Sequence, residues 1–218
     1  MQQPHGNAKL WPASARFLLL PTICQSPRFS PRGCSCVPFV SATSRPWWRI
    51  AEIRTWARYQ DWDAGYSLAD AERFLSEQER VEYGQVGAWA QLAAISRADG
   101  SLIGDCASYV MTQPPATAEI GITLAPVRQG SGLASEALIG LVTALFDGHQ
   151  MHRVIAHADD RNRLVQRLLA RLGFRCEARL LEADLFKGEW TTLRVYAVLD
   201  REWRGFRRHA RQGPSGTA

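Results

Sequence analysis

The sequence predicts an α/β domain of the α+β kind: a mixed central sheet that opens with an antiparallel meander and carries helices on both faces. Three observations predict it. Asp99-Gly100 is a hairpin turn pair between two apolar runs, so 90–96 and 102–111 read as antiparallel strands. A third strand, 118–124, ends at Pro126, and there the period changes: Leu138, Leu141, Val142, Leu145 and Phe146 recur at the spacing of one helix face. Strand, helix and strands then follow in turn, the order of a mixed sheet covered by helices.

The elements follow in order. Ser67-Leu68-Ala69-Asp70 resembles a capping box, and Leu68, Ala71 and Leu75 continue it as a short helix. The meander comes next, and Gly148 ends the helix that follows it. A strand spans 153–157. Leu164, Leu168, Leu169 and Leu172 line one face of a second helix, which Gly173 stops. Strands at 176–186 and 191–199 turn back on each other at Lys187-Gly188.

Residues 1–56 read differently. Seven of the eleven prolines and three of the five cysteines fall there, and no Asp or Glu occurs before residue 51. We expect a poorly ordered segment outside the domain. It is a targeting sequence, a solvated arm for acidic partners, or translated sequence never selected to fold, and the last is preferred. The domain is then 57–203, with 204–218 a basic flexible tail. Much of the formal charge of +5 lies in these ends, which weakens a nucleic-acid reading. The longest early apolar run, 17–20, is too short for a membrane span or a signal-peptide core. The odd cysteine count without a CxxC pair fits a reducing compartment, so a cytoplasmic protein is expected.

Chemistry concentrates at 118–138, where a strand runs through Gly130-Ser131-Gly132 into a helix. Amides exposed at a helix's first turn form an anion site, and glycines let a phosphate approach the backbone. A dinucleotide fingerprint needs a third glycine where Ser135 stands, and a Walker lysine is absent. His152 and His157 lack metal-ligand spacing and are assigned structural roles, as is Cys106.

Gln129-Gly130-Ser131-Gly132-Leu133-Ala134 resembles the Q/R-x-x-G-x-G/A loop of the GNAT acetyltransferases, in particular their ribosomal-protein N-terminal acetyltransferase branch. Asn162 followed by 168–174 is similar to that branch's N-x-x-S and helix ending in Gly-Phe, and 57–62, 103–105, 188–190, Tyr196 and 202–203 add to the likeness. The sequence departs from the family at Val127, where the family has Gln or Arg, and at Val165, where it has Ser.

The resemblance implies a GNAT fold and an N-acetyltransferase that moves acetyl from acetyl-CoA, as cosubstrate, to an amine. The acceptor is a protein N-terminus or a small-molecule amine, attacked directly in a ternary complex. It implies cofactor contacts from the backbone of Ile122, Thr123 and Leu124, from the cradle of Gln129, Gly130, Ser131, Gly132, Leu133 and Ala134, and from Asn162. A free amide near Leu124 is the implied oxyanion donor. Glu119 is the candidate general base, against a plain surface glutamate on an alternating strand; for Asn162 the alternative is a helix cap. Many members place a general-acid Tyr where this chain has Leu169. Tyr59 and Trp62 are candidate walls of the acceptor pocket, with core packing the competing role. Members open with a strand and helix that 1–56 does not pattern, so an acyl-CoA-binding module of little or no activity is the alternative function.

Overall fold

The computed structural model describes residues 33–38, 73–74 and 76–212. Its strands are β1 (Cys34–Pro38), β2 (Trp89–Ser96), β3 (Leu102–Val110), β4 (Thr117–Leu124), β5 (Arg153–Asp159), β6 (Arg175–Phe186) and β7 (Glu189–Leu199). Its helices are α1 (Leu133–Asp147), α2 (Arg163–Arg171) and α3 (Asp200–Gln212). A helical stretch ending at Gln78 precedes β2; the capping box at 67–70, Tyr59 and Trp62 lie outside the described residues. The strands form one sheet in the order β1-β2-β3-β4-β5-β7-β6. Neighbours run antiparallel except β4 and β5, which run parallel.

Alternation along the strands sorts the two faces. Leu92, Cys106, Ala118, Ile120 and Val154 are buried in one cluster with Leu138, Leu141, Val142, Leu145 and Phe146 of α1. Burying each large apolar side chain contributes about 1.5–3 kcal/mol, so this stripe fixes α1 on that face. The register puts Tyr109, Glu119, Gly121 and His157 on the opposite face, because each lies one or three residues from a core-facing neighbour.

Two expectations are corrected. The sequence analysis places no strand before residue 57, yet β1 pairs with β2 over five positions, Cys34↔Ser96 to Pro38↔Leu92. Cys34 and Cys36 are buried in the main core, two small residues too few to register as an apolar pattern. The N–H of Cys34 donates to Glu136 Oε1 at 3.2 Å and its thiol donates to the Leu133 carbonyl at 3.6 Å, so β1 is tied to the first turn of α1. Gly33 is confined by that contact, since a Cβ there would lie 1.5 Å from Glu136 Oε1. Of the strand and helix whose expected absence motivated the binding-only alternative, a strand is therefore present, and residues 39–72 lie outside the described residues.

The tail is the second correction: α3 continues to Gln212. Its charged sequence hides one apolar face. Trp203 is fully buried, stacks on Phe206 at 5.2 Å and donates from Nε1 to Thr143 Oγ1 of α1 at 3.2 Å. Arg207 pairs with Asp147 at 2.7 Å across the same contact. Among the described residues, no helix is long and apolar enough to cross a membrane.

Candidate active site

β4 and β5 pair only at Thr117↔Arg153, Ala118↔Val154 and Glu119↔Ile155. Beyond that point β4 stays with β3 as far as Gly104↔Leu124, and β5 stays with β7 as far as Asp159↔Leu193. The two parallel strands thus part, and a wedge opens toward their C-terminal ends. In an open sheet this is the place where ligands enter.

The ladder's phase decides which groups face the wedge. Ala125 N–H donates to the Ile103 carbonyl at 2.9 Å and Met111 N–H to the Thr117 carbonyl at 2.8 Å. Both bonds flank non-hydrogen-bonded pairs, so Ile122 and Leu124, past the last β4–β5 pair, turn their N–H and C=O away from β3, into the opening. Thr123 does the reverse, pairing its backbone with Asp105 while its hydroxyl bonds the Asp105 carboxyl. Of the three backbone contacts expected on β4, Ile122 and Leu124 face the wedge and Thr123 does not. Only the register reveals which alternate peptide units turn away from β3.

At the wedge's open end a 3₁₀ turn, Pro126–Arg128, leads to the glycine loop. Gly132 is the N-cap of α1 at φ 87°, Gly130 has φ 74°, and no side chain caps the helix. The first intrahelical bond comes from Glu136 N–H to the Gly132 carbonyl, so the N–H groups of Leu133, Ala134 and Ser135 have no helical acceptor. Helix N–H groups directed at solvent, with the positive end of the helix dipole behind them, form a cradle for a diphosphate.

Gln129 departs from the expectation. Its N–H donates to the Pro126 carbonyl at 3.2 Å and its Nε2 to the Leu124 carbonyl at 3.0 Å, so it braces the turn and is not a free donor. Ser131 Oγ donates to the Arg128 carbonyl at 2.6 Å, which likewise shapes the loop. Arg128 is held by Asp99 at 3.1 Å, and hydrogen bonds from Ser101 first, then Ser96 and Arg128, keep the Asp99 carboxyl well below the usual range. Val127, where the family has a polar side chain, is 89% exposed and makes no polar contact there.

Asn162 caps α2, its side chain accepting from Val165 N–H at 3.3 Å, which is the alternative role set out for it. Leu169 is buried in the core, so its position supplies no acid. Glu119 stands at the apex of the wedge, its side chain 18% exposed, with His157 Nδ1 2.9 Å from its Oε1. Trp89 and Tyr109 lie beside it, ring centroids 5.4 Å apart, Tyr109 being Glu119's partner on β3. The sequence analysis gave His157 a structural role and did not single out Trp89 or Tyr109. Residues 38 positions apart along the chain carry no local signal of meeting.

This combination, a splayed parallel pair ending at an uncapped helix N-terminus, meets a family match. The acetyltransferase (GNAT) domain model covers residues 39–175. The chain belongs to the GNAT acetyltransferase family. The match takes in residues 39–56, which the sequence analysis had left outside the domain.

Among curated relatives, N-acetyltransferase p20 of Bacillus licheniformis, itself uncharacterized, is 29% identical over 115 residues, 53% of this chain and 65% of that protein. YdaF of Bacillus subtilis strain 168, named as a candidate ribosomal N-acetyltransferase, is 31% identical over 107 residues, 49% of this chain and 58% of that one. The chain thus spans under two-thirds of the length of these relatives. Spermidine N-acetyltransferase from Vibrio cholerae, solved with CoA and spermine, shares the fold: TM-score 0.67 at 18% identity, covering 78% of this chain and 98% of the other.

Proposed function

We propose that this protein is an acetyl-CoA-dependent N-acetyltransferase acting on a protein N-terminus or a small-molecule amine, with direct transfer in a ternary complex. The observation that carries this is the wedge between β4 and β5, which runs from Glu119 to the uncapped first turn of α1. Gly130, Ser131, Gly132, Leu133 and Ala134 hold the diphosphate through main-chain donors, the outward peptide groups of Ile122 pair with the pantetheine amides, and the Leu124 N–H is left for the thioester oxygen, its carbonyl being held by Gln129. Asn162, whose Oδ1 is used as a cap, has its amide nitrogen available to the same arm.

An ammonium acceptor must first lose a proton. Glu119 takes it, directly or through water, and the freed nitrogen attacks the thioester carbonyl carbon, whose oxygen becomes an anion near the Leu124 N–H. Collapse re-forms the carbonyl and breaks the C–S bond, and the proton left on the attacking nitrogen passes to the departed thiolate. The leaving thiol has an ordinary pKa of about 8.5, so a thiolate departs without an acid, in keeping with Leu169 where many family members have Tyr.

The test is thiol release from acetyl-CoA with spermine and with peptides bearing a free N-terminus as acceptors. Glu119→Gln lowers kcat by about 100- to 10,000-fold, the usual weight of general-base catalysis, and leaves acetyl-CoA affinity unchanged by calorimetry. Absence of acetyl-CoA binding by the wild-type chain refutes the cofactor half of the proposal; full turnover by the glutamine variant refutes the base.

A further inference from the structure

We infer that His157 is a positioning residue for acetyl transfer: it aims the Glu119 carboxylate into the wedge by donating from Nδ1. The inference rests on the reading of Glu119 as base, and names the group that makes it one.

The geometry starts from the strands. Glu119↔Ile155 is the last pair before β4 and β5 part, and His157 lies two residues further on β5, on the same face. This diagonal brings Nδ1 and Oε1 to 2.9 Å. An ionised carboxylate only accepts, so in the neutral imidazole the proton of the contact sits on Nδ1 and Nε2 carries the lone pair. The unaided preference of imidazole is the opposite tautomer; only a fixed acceptor at Nδ1 selects this one.

Position explains why such a donor is needed. Beyond Glu119 the strands no longer restrain each other, and a glutamate side chain there has three free torsions. Anchoring Oε1 leaves Oε2 as the oxygen that meets the acceptor's ammonium. The groups facing the pair are few among the described residues: Tyr109 from β3, Val195 of β7 opposite His157, and Asp159 further along β5, which is already bound by Arg161 at 2.8 Å. Among the described residues, the ion-pair partner of Glu119 is His157.

Two measurements test this. Long-range proton–nitrogen spectra of uniformly ¹⁵N-labelled protein at pH 8 read the tautomer without any acceptor. The expected result is Nδ1–H for His157 in the wild-type protein, reverting toward Nε2–H in Glu119→Leu, which has no acceptor. An Nε2–H tautomer in the wild type overturns the inference whatever Glu119 does. The second measurement follows turnover of acetyl-CoA with spermine and with an alanine-started peptide. His157→Leu removes the donor and lowers kcat about tenfold or more, as for a hydrogen bond to a charged group, while KM for acetyl-CoA stays within about twofold. His157→Asn places an amide N–H near the Nδ1 position and recovers most of that loss. A leucine variant as active as wild type overturns the inference and leaves the base reading standing. Full activity of Glu119→Gln, or turnover of neither acceptor by the wild type, overturns both.

Discussion

Gly132 carries the most at the scale of single residues. It sits at φ 87°, a conformation costly to any side chain, yet an added Cβ would meet no other described residue within 4 Å beyond its chain neighbours. The space beside it is open, and two substitutions there separate strain from charge. Gly132→Ala weakens acetyl-CoA binding by about tenfold through backbone strain alone. Gly132→Glu, which sets a carboxylate against the diphosphate, weakens it by about 100-fold or more. Calorimetric titration with acetyl-CoA measures both, and equal affinities for the two variants would remove the phosphate from this turn. The glycines were legible because a strand, two glycines and an amphipathic helix are all local. Gln129 was misread for the same reason: its side chain and N–H are consumed by Leu124 and Pro126, bonds that only the folded turn creates.

Elements recognised by period, such as α1 and the meander, came through with boundaries shifted by a residue or so at most of their ends. β1 and α3 did not. β1 is stabilised by what it meets, the edge of β2 and the carboxylate of Glu136, whose burial pushes that carboxyl's pKa up. α3 is dominated by arginines, and its apolar content reduces to Trp203 and Phe206 on one side, packed on Phe146 and Phe174 at centroid distances of 6.4 Å from the indole. Trp203→Ala should cost about 3–5 kcal/mol, the usual result of emptying a large buried site. Urea denaturation followed by circular dichroism measures it, and a loss below 1 kcal/mol would mean that α3 contributes little to the core.

For the whole molecule, the informative group is Asp105. It is buried beside Thr123 on the face opposite α1, and burial raises its pKa to about 7, with the Thr123 hydroxyl pulling weakly the other way. The folded protein therefore binds this proton more tightly than the unfolded chain, where an aspartate titrates near about 3.9. The stabilisation is complete below that value and is lost as pH rises through 7. Asp105→Asn cannot ionise, so between pH 5 and pH 8 its stability relative to wild type should improve by about 2–3 kcal/mol. Urea midpoints at the two pH values check the sign, and a constant difference would show that Asp105 titrates alike in both states.

By itself the sequence determined the fold class, the strand-to-helix turn at Gly130 and Gly132, and the spacing that resembles the GNAT loop, because each depends on residues within about one turn or one hairpin of each other. Only the tertiary structure decided the place of β1, the docking of α3, the peptide groups that face the wedge and the meeting of Glu119 with His157. Those depend on register between strands distant in the chain, and shifting one strand by a single residue would send every one of these groups to the other face.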